Sequence, residues 1–249
     1  MREPRRILCA PFFGGYSFGA GRASKQATSV FDPASLSPTG WWRGSYGGSP
    51  WSDASGNSRT LTEATNPPST GAAVNGYTPA DYDGTNDILN GTAITTFFGT
   101  SGSIWCLFYA DAAPSPVNDY SDGTMFGDPT NGECNLGFTT SGVGMCVLDD
   151  TVNYRRLNVA CGTGGWHLAQ SKWNGSNLYV RVDNGSWSST ACGPFTPISA
   201  GNALSGYGYT AAIRFDGRIL DMGVKNAVIS DGDFDNIRSY CNSRYGVSV

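Results

Sequence analysis

The sequence is poor in the residues from which exposed helices are usually built. Its 249 residues include three Glu and three Lys, whereas Gly, Ser, Thr, Asn and Asp are abundant. This composition excludes a mainly helical protein. Leu, Ile, Val and Phe make up fewer than a fifth of the chain, but seven Trp and twelve Tyr supply further apolar surface, and the net charge is only −4. The chain is therefore expected to fold around a core of its own rather than to remain disordered.

Long apolar runs are also missing, and the cysteines form no recognisable pattern. No segment approaches the ~18 apolar residues of a membrane span. Behind the basic N-terminus, Pro11, Gly14 and Gly15 interrupt the apolar stretch that a signal peptide needs, so we expect neither secretion nor membrane insertion. The seven Cys are odd in number and widely spaced, with no C-x-x-C pair. This argues against a disulfide scaffold or a zinc site and favours buried free thiols in a protein matured in a reducing cytoplasm.

Charge is distributed unevenly along the chain. Residues 1–25 carry five basic groups and one acid, whereas residues 26–249 carry 11 basic and 19 acidic groups. Such an acidic body disfavours a nucleic-acid partner. We interpret residues 1–30 as an extended anchoring arm and residues 31–249 as one domain. The arm's candidate docking residues are basic or aromatic: Arg2, Arg5, Arg6, Phe12, Phe13, Tyr16 and Phe18.

Turn signals predict an all-β domain. Nine Asn-Gly or Asp-Gly dipeptides, which favour tight hairpin turns, separate short apolar or alternating runs such as residues 103–109, 166–173 and 177–182. An antiparallel jelly-roll sandwich is the expected architecture. One short helix is predicted near the C-terminus, because Ser230 can cap it and Phe234, Ile237 and Cys241 repeat at helical spacing. Gly246 is the expected end of this helix.

Several segments resemble laminin G-like domains of the concanavalin A-like lectin/glucanase superfamily. Residues 166–185 (WHLAQSKWNGSNLYVRVDNG) resemble its paired strands, and residues 81–89 (DYDGTNDIL) and 215–230 (FDGRILDMGVKNAVIS) resemble two further segments. Residues 51–57 (WSDASGN) and 236–246 are similar to the opening and closing segments of copies carried by tailed bacteriophages. The resemblance implies a jelly roll over roughly residues 31–246 and does not specify a function.

The family includes glucanases, but the residues do not favour catalysis. Retaining glucanases need two carboxylates about 5 Å apart. The three Glu residues, Glu3, Glu63 and Glu133, are too far apart in sequence to share a strand. His167 is the only histidine, and no G-x-S-x-G motif is present. We therefore expect a protein that is not an enzyme, with His167 in a structural role.

Two binding sites remain as candidates. Asp83, Asn86 and Asp87 are weak candidates for calcium, because they offer oxygen ligands where laminin G-like relatives bind this ion; no other cofactor is expected. Trp41, Trp42, Tyr46 and Trp51 lie within eleven residues among Gly and Ser. They form either an exposed platform for a glycan or part of the core.

The leading functional hypothesis is a structural protein on the surface of a tailed-phage virion. It would be a capsid decoration or spike, attached through residues 1–30 to another virion protein such as the major capsid protein. The alternative is a glycan-binding adhesin of a tail or fibre that contacts a host surface glycan. Self-association into a homo-oligomer is compatible with either hypothesis.

Overall fold

The computed structural model describes residues 31–93, 97–113, 123–127, 134–148, 154–194, 202–205 and 214–249. The proposed arm and its seven docking candidates lie outside these residues. Residues 31–249 belong to one compact unit. In the described part of the chain, no helix is long and apolar enough to cross a membrane.

Fourteen strands, one α-helix and one 3₁₀ turn make up the described elements. Most of the strands are short and follow one another through turns. In chain order the elements are the 3₁₀ turn Pro33–Leu36, β1 (Gly40–Arg43), β2 (Ser69–Thr70), β3 (Ala80–Asp83), β4 (Leu89–Ala93), β5 (Gly102–Ala110), β6 (Thr124–Gly127), β7 (Cys134–Thr139), β8 (Gly142–Leu148), β9 (Tyr154–Val159), β10 (Trp166–Trp173), β11 (Asn177–Val182), β12 (Ser188–Ala191), β13 (Asn202–Ser205), β14 (Asp216–Lys225) and α1 (Asp231–Tyr245).

The strands form two antiparallel sheets. The first has eight strands in the order β12-β11-β10-β5-β14-β3-β2, with β1 also paired to β14. The second has six strands in the order β4-β13-β6-β7-β8-β9. The predicted all-β antiparallel sandwich is thus confirmed. The turn between β10 and β11 follows the predicted chemistry, because the Asn174 side chain accepts hydrogen bonds from the next backbone N–H groups while Gly175 adopts a φ of 81°.

Two hydrophobic layers lie on opposite sides of the first sheet. The larger layer lies between the two sheets and includes Trp42, Phe108, Phe126 and Trp173. The smaller layer packs α1 against the outer face of the first sheet. It combines sheet residues with helix residues and is formed by Trp41, Trp105, Leu107, Leu168, Leu220, Ile229, Phe234, Ile237, Tyr240, Cys241, Tyr245 and Val249.

Helix α1 begins and ends as the sequence predicts. The Ser230 hydroxyl accepts a hydrogen bond from the Asp233 backbone N–H at 3.1 Å. Gly246 has a φ of 66° and donates its backbone N–H to Asn242. The side chains at the predicted helical spacing, Phe234 and Ile237 among them, are fully buried. The helix therefore closes the domain from the side of the first sheet.

Candidate functional site

The only histidine is engaged in a structural pair. His167 Nδ1 lies 2.8 Å from Asp183 Oδ2, and Asp183 Oδ1 accepts the backbone N–H of Leu168 at 2.7 Å. No hydroxyl or thiol of the described residues hydrogen-bonds to Nε2 of His167. Burial, and then the negative charge of Asp183, raises the pKa of the Cys161 thiol to about 12, so this thiol stays protonated. These groups form a His-Asp pair without an activated nucleophile.

Glu63 and the calcium candidates are used to close turns. Glu63 Oε1 accepts two backbone N–H groups at 2.9 Å. Asp83 Oδ1 accepts the N–H groups of Thr85 and Asn86, and Asp87 Oδ2 accepts that of Asp83 at 2.9 Å. Within the part of the chain that the structure covers, no group of three or more His, Cys, Asp or Glu is arranged to hold a metal ion. Calcium at the Asp83 turn stays a prediction.

The four aromatic residues proposed as a glycan platform are buried. Trp41, Trp42, Tyr46 and Trp51 expose 1%, 0%, 0% and 3% of their surfaces. Stacking against a sugar requires an exposed ring face, so the expectation of an exposed platform is wrong and the core interpretation is correct. Their polar atoms bond within the fold: Trp42 Nε1 to Arg59 O, Tyr46 Oη to Pro68 O, Trp51 Nε1 to Arg43 O and Trp41 Nε1 to Asp221 Oδ1.

A surface pocket of about 260 Å³ is lined by one of these aromatic residues, Trp51. It is formed by the end of β1 and the loop that follows. Its lining combines a guanidinium group, hydroxyl groups, exposed backbone and one carboxylate. The lining residues are Arg43, Gly44, Ser45, Gly47, Pro50, Trp51, Ser52, Asp53 and Ala54.

The Asp53 carboxylate holds the pocket wall in place. Its Oδ1 accepts the backbone N–H groups of Trp41 at 3.0 Å and Ser55 at 2.8 Å. Its Oδ2 accepts the Ser55 hydroxyl at 2.7 Å and the Arg59 backbone N–H at 2.9 Å. With four accepted hydrogen bonds, both oxygens are committed to the loop. The pocket is therefore preorganised by its own backbone contacts.

Stacked aromatic and guanidinium groups join the pocket to helix α1. The guanidinium carbon of Arg43 lies 4.5 Å from the centre of the Trp41 ring. Trp41 packs edge-on against Tyr240, with ring centres 6.1 Å apart. Arg244 lies 4.5 Å from the centre of the Tyr77 ring and 5.7 Å from that of Tyr240. These contacts hold two guanidinium groups beside one tyrosine.

Beneath this stack lies a fully buried carboxylate, Asp221. Its Oδ1 accepts hydrogen bonds from the indole nitrogens of Trp41 at 2.9 Å and Trp105 at 3.0 Å, and its Oδ2 accepts one from the Tyr245 hydroxyl at 2.7 Å. Burial raises the pKa of Asp221 to about 6, although the three donors and Arg244 oppose that shift. The Gly44 backbone N–H in the pocket wall also donates to the Tyr245 oxygen at 3.4 Å. Asp221 therefore ties β1, β5, β14 and α1 together behind the pocket.

Solved structures with a similar fold include binding domains of clostridial toxins. The binding domain of Paraclostridial Mosquitocidal Protein 1 matches with a TM-score of 0.65 and 10% identity, over 84% of this chain and 53% of that chain. The botulinum neurotoxin serotype G binding domain matches with a TM-score of 0.62 and 13% identity, over 83% and 51%. The binding domain of botulinum neurotoxin DC in complex with SialylT matches with a TM-score of 0.60 and 12% identity, over 82% and 51%.

These likenesses show a shared fold. This chain spans about half the length of the toxin domains that it matches. No family model matches the sequence, and a search of curated proteins finds no match either. The resemblance to phage-carried laminin G-like domains therefore rests on the sequence motifs alone.

Proposed function

We propose that this chain is a non-enzymatic binding domain whose ligand, a glycan, occupies the pocket over Trp51. The observation that carries this proposal is the pocket itself, which is open at the surface, lined by a guanidinium and hydroxyl groups, and supported by a rigid aromatic layer. Its volume of about 260 Å³ lies just below the usual range of small-ligand sites, about 300–1,000 Å³, and suits a small ligand such as a monosaccharide. The fold shared with toxin binding domains, one of them in complex with SialylT, supports the same class of function.

Preorganisation of the wall favours binding in physical terms. A ligand that enters a pocket already fixed by the Asp53 hydrogen bonds does not have to order the loop, so less binding free energy is lost to conformational entropy. The hydroxyls of Ser45 and Ser52 and the exposed backbone offer donors and acceptors that match sugar hydroxyls. In this proposal the buried tryptophans support the contact surface rather than stack on the sugar.

A glycan array with a pocket-blocking variant tests the proposal. An added Cβ at Gly47 would meet no atom within 4 Å, and this residue lines the pocket, so Gly47→Trp should fill the opening without disturbing the fold. Gly162→Trp is the matched control, because Gly162 is equally open but does not line the pocket. We expect the wild-type chain and Gly162→Trp to bind the same glycans, and Gly47→Trp to lose them while melting at an unchanged temperature. Equal binding by both variants would refute a pocket site.

Where the domain is displayed is a separate proposal. The motifs at residues 51–57 and 236–246 favour display on a tailed-phage particle, as a capsid decoration, a spike or a fibre adhesin, with residues 1–30 as the attachment to a virion protein. Quantitative mass spectrometry of purified particles tests this by copy number. A copy number that scales with the capsid shell favours decoration, a few copies per particle favour a tail adhesin, and absence from particles refutes the virion proposal.

A further inference from the structure

The buried carboxylate Asp221 is connected to the pocket wall through one tyrosine. Asp221 is fully buried, and its Oδ2 accepts the Tyr245 hydroxyl at 2.7 Å. The Tyr245 oxygen in turn accepts the backbone N–H of Gly44, which lines the pocket, at 3.4 Å. A second branch runs through Tyr240, whose hydroxyl interacts with Tyr245 and with the pocket-lining Arg43, with poorer geometry than the bonds of the first branch. Both branches therefore end at residues of the pocket lining.

The hydrogen bonds of this chain run in one direction while Asp221 is ionised. A guanidinium and a backbone N–H only donate, an ionised carboxylate only accepts, and a tyrosine hydroxyl does both. Tyr245 directs its hydrogen at Asp221. Its oxygen lone pairs remain for two donors, the Gly44 N–H and the Tyr240 hydroxyl. Because Tyr240 can then accept from Arg43, every donor has an acceptor, and the chain ends at the buried charge.

Protonation of Asp221 reverses this direction. A protonated carboxyl needs an acceptor for its own hydrogen. The indole nitrogens of Trp41 and Trp105, which bond to Oδ1, are donors and cannot serve. Among the described residues that hydrogen-bond to this carboxyl, Tyr245 alone can accept. The Tyr245 oxygen must therefore accept from Asp221, and its own hydrogen turns away from the carboxyl.

The reversal reaches the pocket wall by either branch. If the Tyr245 hydrogen turns to the Gly44 N–H, two donors face each other, and the N–H loses its acceptor. If it turns to the Tyr240 oxygen, the Tyr240 hydrogen turns towards Arg43, which has no acceptor to offer. In both cases a residue of the pocket lining loses a bond that positions it.

We propose that the protonation state of Asp221 switches the pocket between a held and a released wall. The ionised carboxylate positions Gly44 and Arg43 for the ligand, and the protonated carboxyl releases them. The switch rests on the proposed glycan-binding function and adds its regulation by pH. A ligand that selects the held wall favours ionisation, so its affinity should rise with pH. The contribution of Asp221 to stability instead falls over the same range, because burial raises its pKa to about 6.

The other ionisable groups around Asp221 and along the chain keep their charge in this range. They are Tyr240, Cys241, Arg244 and Tyr245 on α1, Cys106 on β5 and Arg43 on β1. Burial raises the pKa of both tyrosines and both thiols, so these groups stay neutral. The two guanidiniums stay charged, because arginine is not deprotonated in proteins. Asp221 is thus the group of this cluster whose charge changes between pH 5 and pH 7.5.

An NMR titration of the protein without ligand tests the switch directly. We expect the Gly44 amide and Arg43 Nε–H signals to shift together with the Asp221 carboxyl carbon, with a midpoint near pH 6. Tyr245→Phe removes the hydroxyl that both branches share, so Asp221 should still titrate, at higher pH, while the two wall signals no longer follow it. Tyr240→Phe should remove the response of Arg43 and leave that of Gly44.

Two aspartate variants separate Asp221 from the other acids. Asp221→Asn places a permanent N–H donor where the protonated carboxyl carries its hydrogen, so its wall should be released at every pH. Asp216→Asn is the matched control, because Asp216 is also on β14 and its pKa is also raised, chiefly by burial, but it does not line the pocket. It should leave the titration of Gly44 unchanged.

Binding of glucose, galactose and mannose at pH 5 and pH 7.5 tests the effect on affinity. These sugars do not ionise in this range, so a pH effect belongs to the protein. We expect the wild type to bind about fivefold more weakly at pH 5, the lower end of the usual coupling between two sites. Asp221→Asn should bind weakly at both pH values, and Asp216→Asn should behave as the wild type does. A melting curve of each variant checks that lost binding does not reflect unfolding.

The outcomes separate this inference from the proposed function. Gly44 and Arg43 signals that do not follow the ionisation of Asp221 would overturn the switch. Equal sugar affinity at the two pH values, with wall signals that titrate, would overturn its control of binding and leave the glycan pocket standing. Failure of every array glycan and of these three sugars to bind at either pH would refute the proposed function, whereas the titration would still decide whether Asp221 is coupled to the wall.

Discussion

Replacement of the buried carboxylate Asp221 by Asn should change how the stability of this domain depends on pH. Asp221 has no exposed surface, and its pKa is raised to about 6 from an ordinary value of 3.8, chiefly by burial. An asparagine has nearly the same shape and does not titrate. Its Oδ1 can accept the indole N–H groups of Trp41 and Trp105, whereas its Nδ2 faces the Tyr245 hydroxyl, which loses the acceptor that it has now.

The sign of the effect follows from linkage. When the pKa of a carboxyl is higher in the folded than in the unfolded state, the folded state binds more protons at pH values between the two. The contribution of Asp221 to stability is therefore fully present below pH 3.8 and is lost as the pH rises through about 6. A shift of two pKa units corresponds to roughly 3 kcal/mol. For a domain of this size that equals a change of roughly 6–12 °C in Tm.

Urea unfolding of the wild type and Asp221→Asn between pH 4 and pH 7.5 measures this contribution. Asp81, Asp87 and Asp216 also have raised pKa values, chiefly through burial, so the wild-type trend alone does not report Asp221. The difference in the free energy of unfolding between the wild type and Asp221→Asn does report the contribution of Asp221. We expect Asp221→Asn to be less stable than the wild type at pH 4, because Tyr245 has lost its acceptor. Between pH 4 and pH 7.5 the free energy of unfolding of the variant should rise by about 3 kcal/mol relative to that of the wild type.

A second variant tests the assignment to this carboxyl. Tyr245→Phe removes the 2.7 Å hydrogen bond to Asp221, which favours the ionised form, so the loss of stability should move to higher pH. If the wild type and Asp221→Asn instead keep a constant difference in stability from pH 4 to pH 7.5, Asp221 does not ionise in this range and the reasoning fails.

Three further predictions concern the core, the thiols and catalysis. Ile237→Ala removes a fully buried side chain between α1 and the first sheet and should cost about 2–5 kcal/mol in urea unfolding, while the exposed Ser243→Ala should have little effect. Cys106 and Cys241 are buried free thiols whose pKa values burial raises, so a thiol reagent should label them slowly in the native protein and fully in unreduced denaturant; protection until a reductant is added would contradict this. Because the His167 pair lacks an activated nucleophile, the purified domain should not hydrolyse laminarin or peptidoglycan, and turnover that one aspartate substitution abolishes would contradict this.

The fold was predictable because its signals are local. The Ser230 cap, the apolar spacing of Phe234 and Ile237 and the glycine at position 246 all lie within one segment and specify one helix. The Asn174-Gly175 turn likewise fixes a hairpin through contacts between near neighbours. The Asp231-Gly232 dipeptide shows the limit of such signals, because it begins helix α1 rather than a hairpin. Here the Ser230 cap and the apolar spacing that follows decide the local structure.

The expectation of an exposed glycan platform was wrong because the burial of its aromatic rings depends on partners that are distant in the sequence. Among Gly and Ser, a run with Trp41, Trp42 and Trp51 has the composition of an exposed loop. The partner that holds the Trp41 indole, Asp221, lies 180 residues further along the chain, and nothing within the run indicates it. Burial of the rings nevertheless leaves several of their neighbours at the surface, where they line the pocket that we propose as the binding site.

The missed residue, Arg43, illustrates why a site can be harder to predict than the fold that carries it. In the sequence it is one arginine after two tryptophans, and the simplest interpretation is a solvent-exposed charge at the end of a strand. The position of its guanidinium depends on two contacts made elsewhere: Trp41 is fixed by Asp221, and Tyr240 is brought beside Trp41 by α1. Each contact joins the start of the domain to its last thirty residues. If the proposed glycan binds in the pocket that Arg43 lines, a substitution that loosens α1 should weaken its binding even though that substitution touches no residue of the pocket lining.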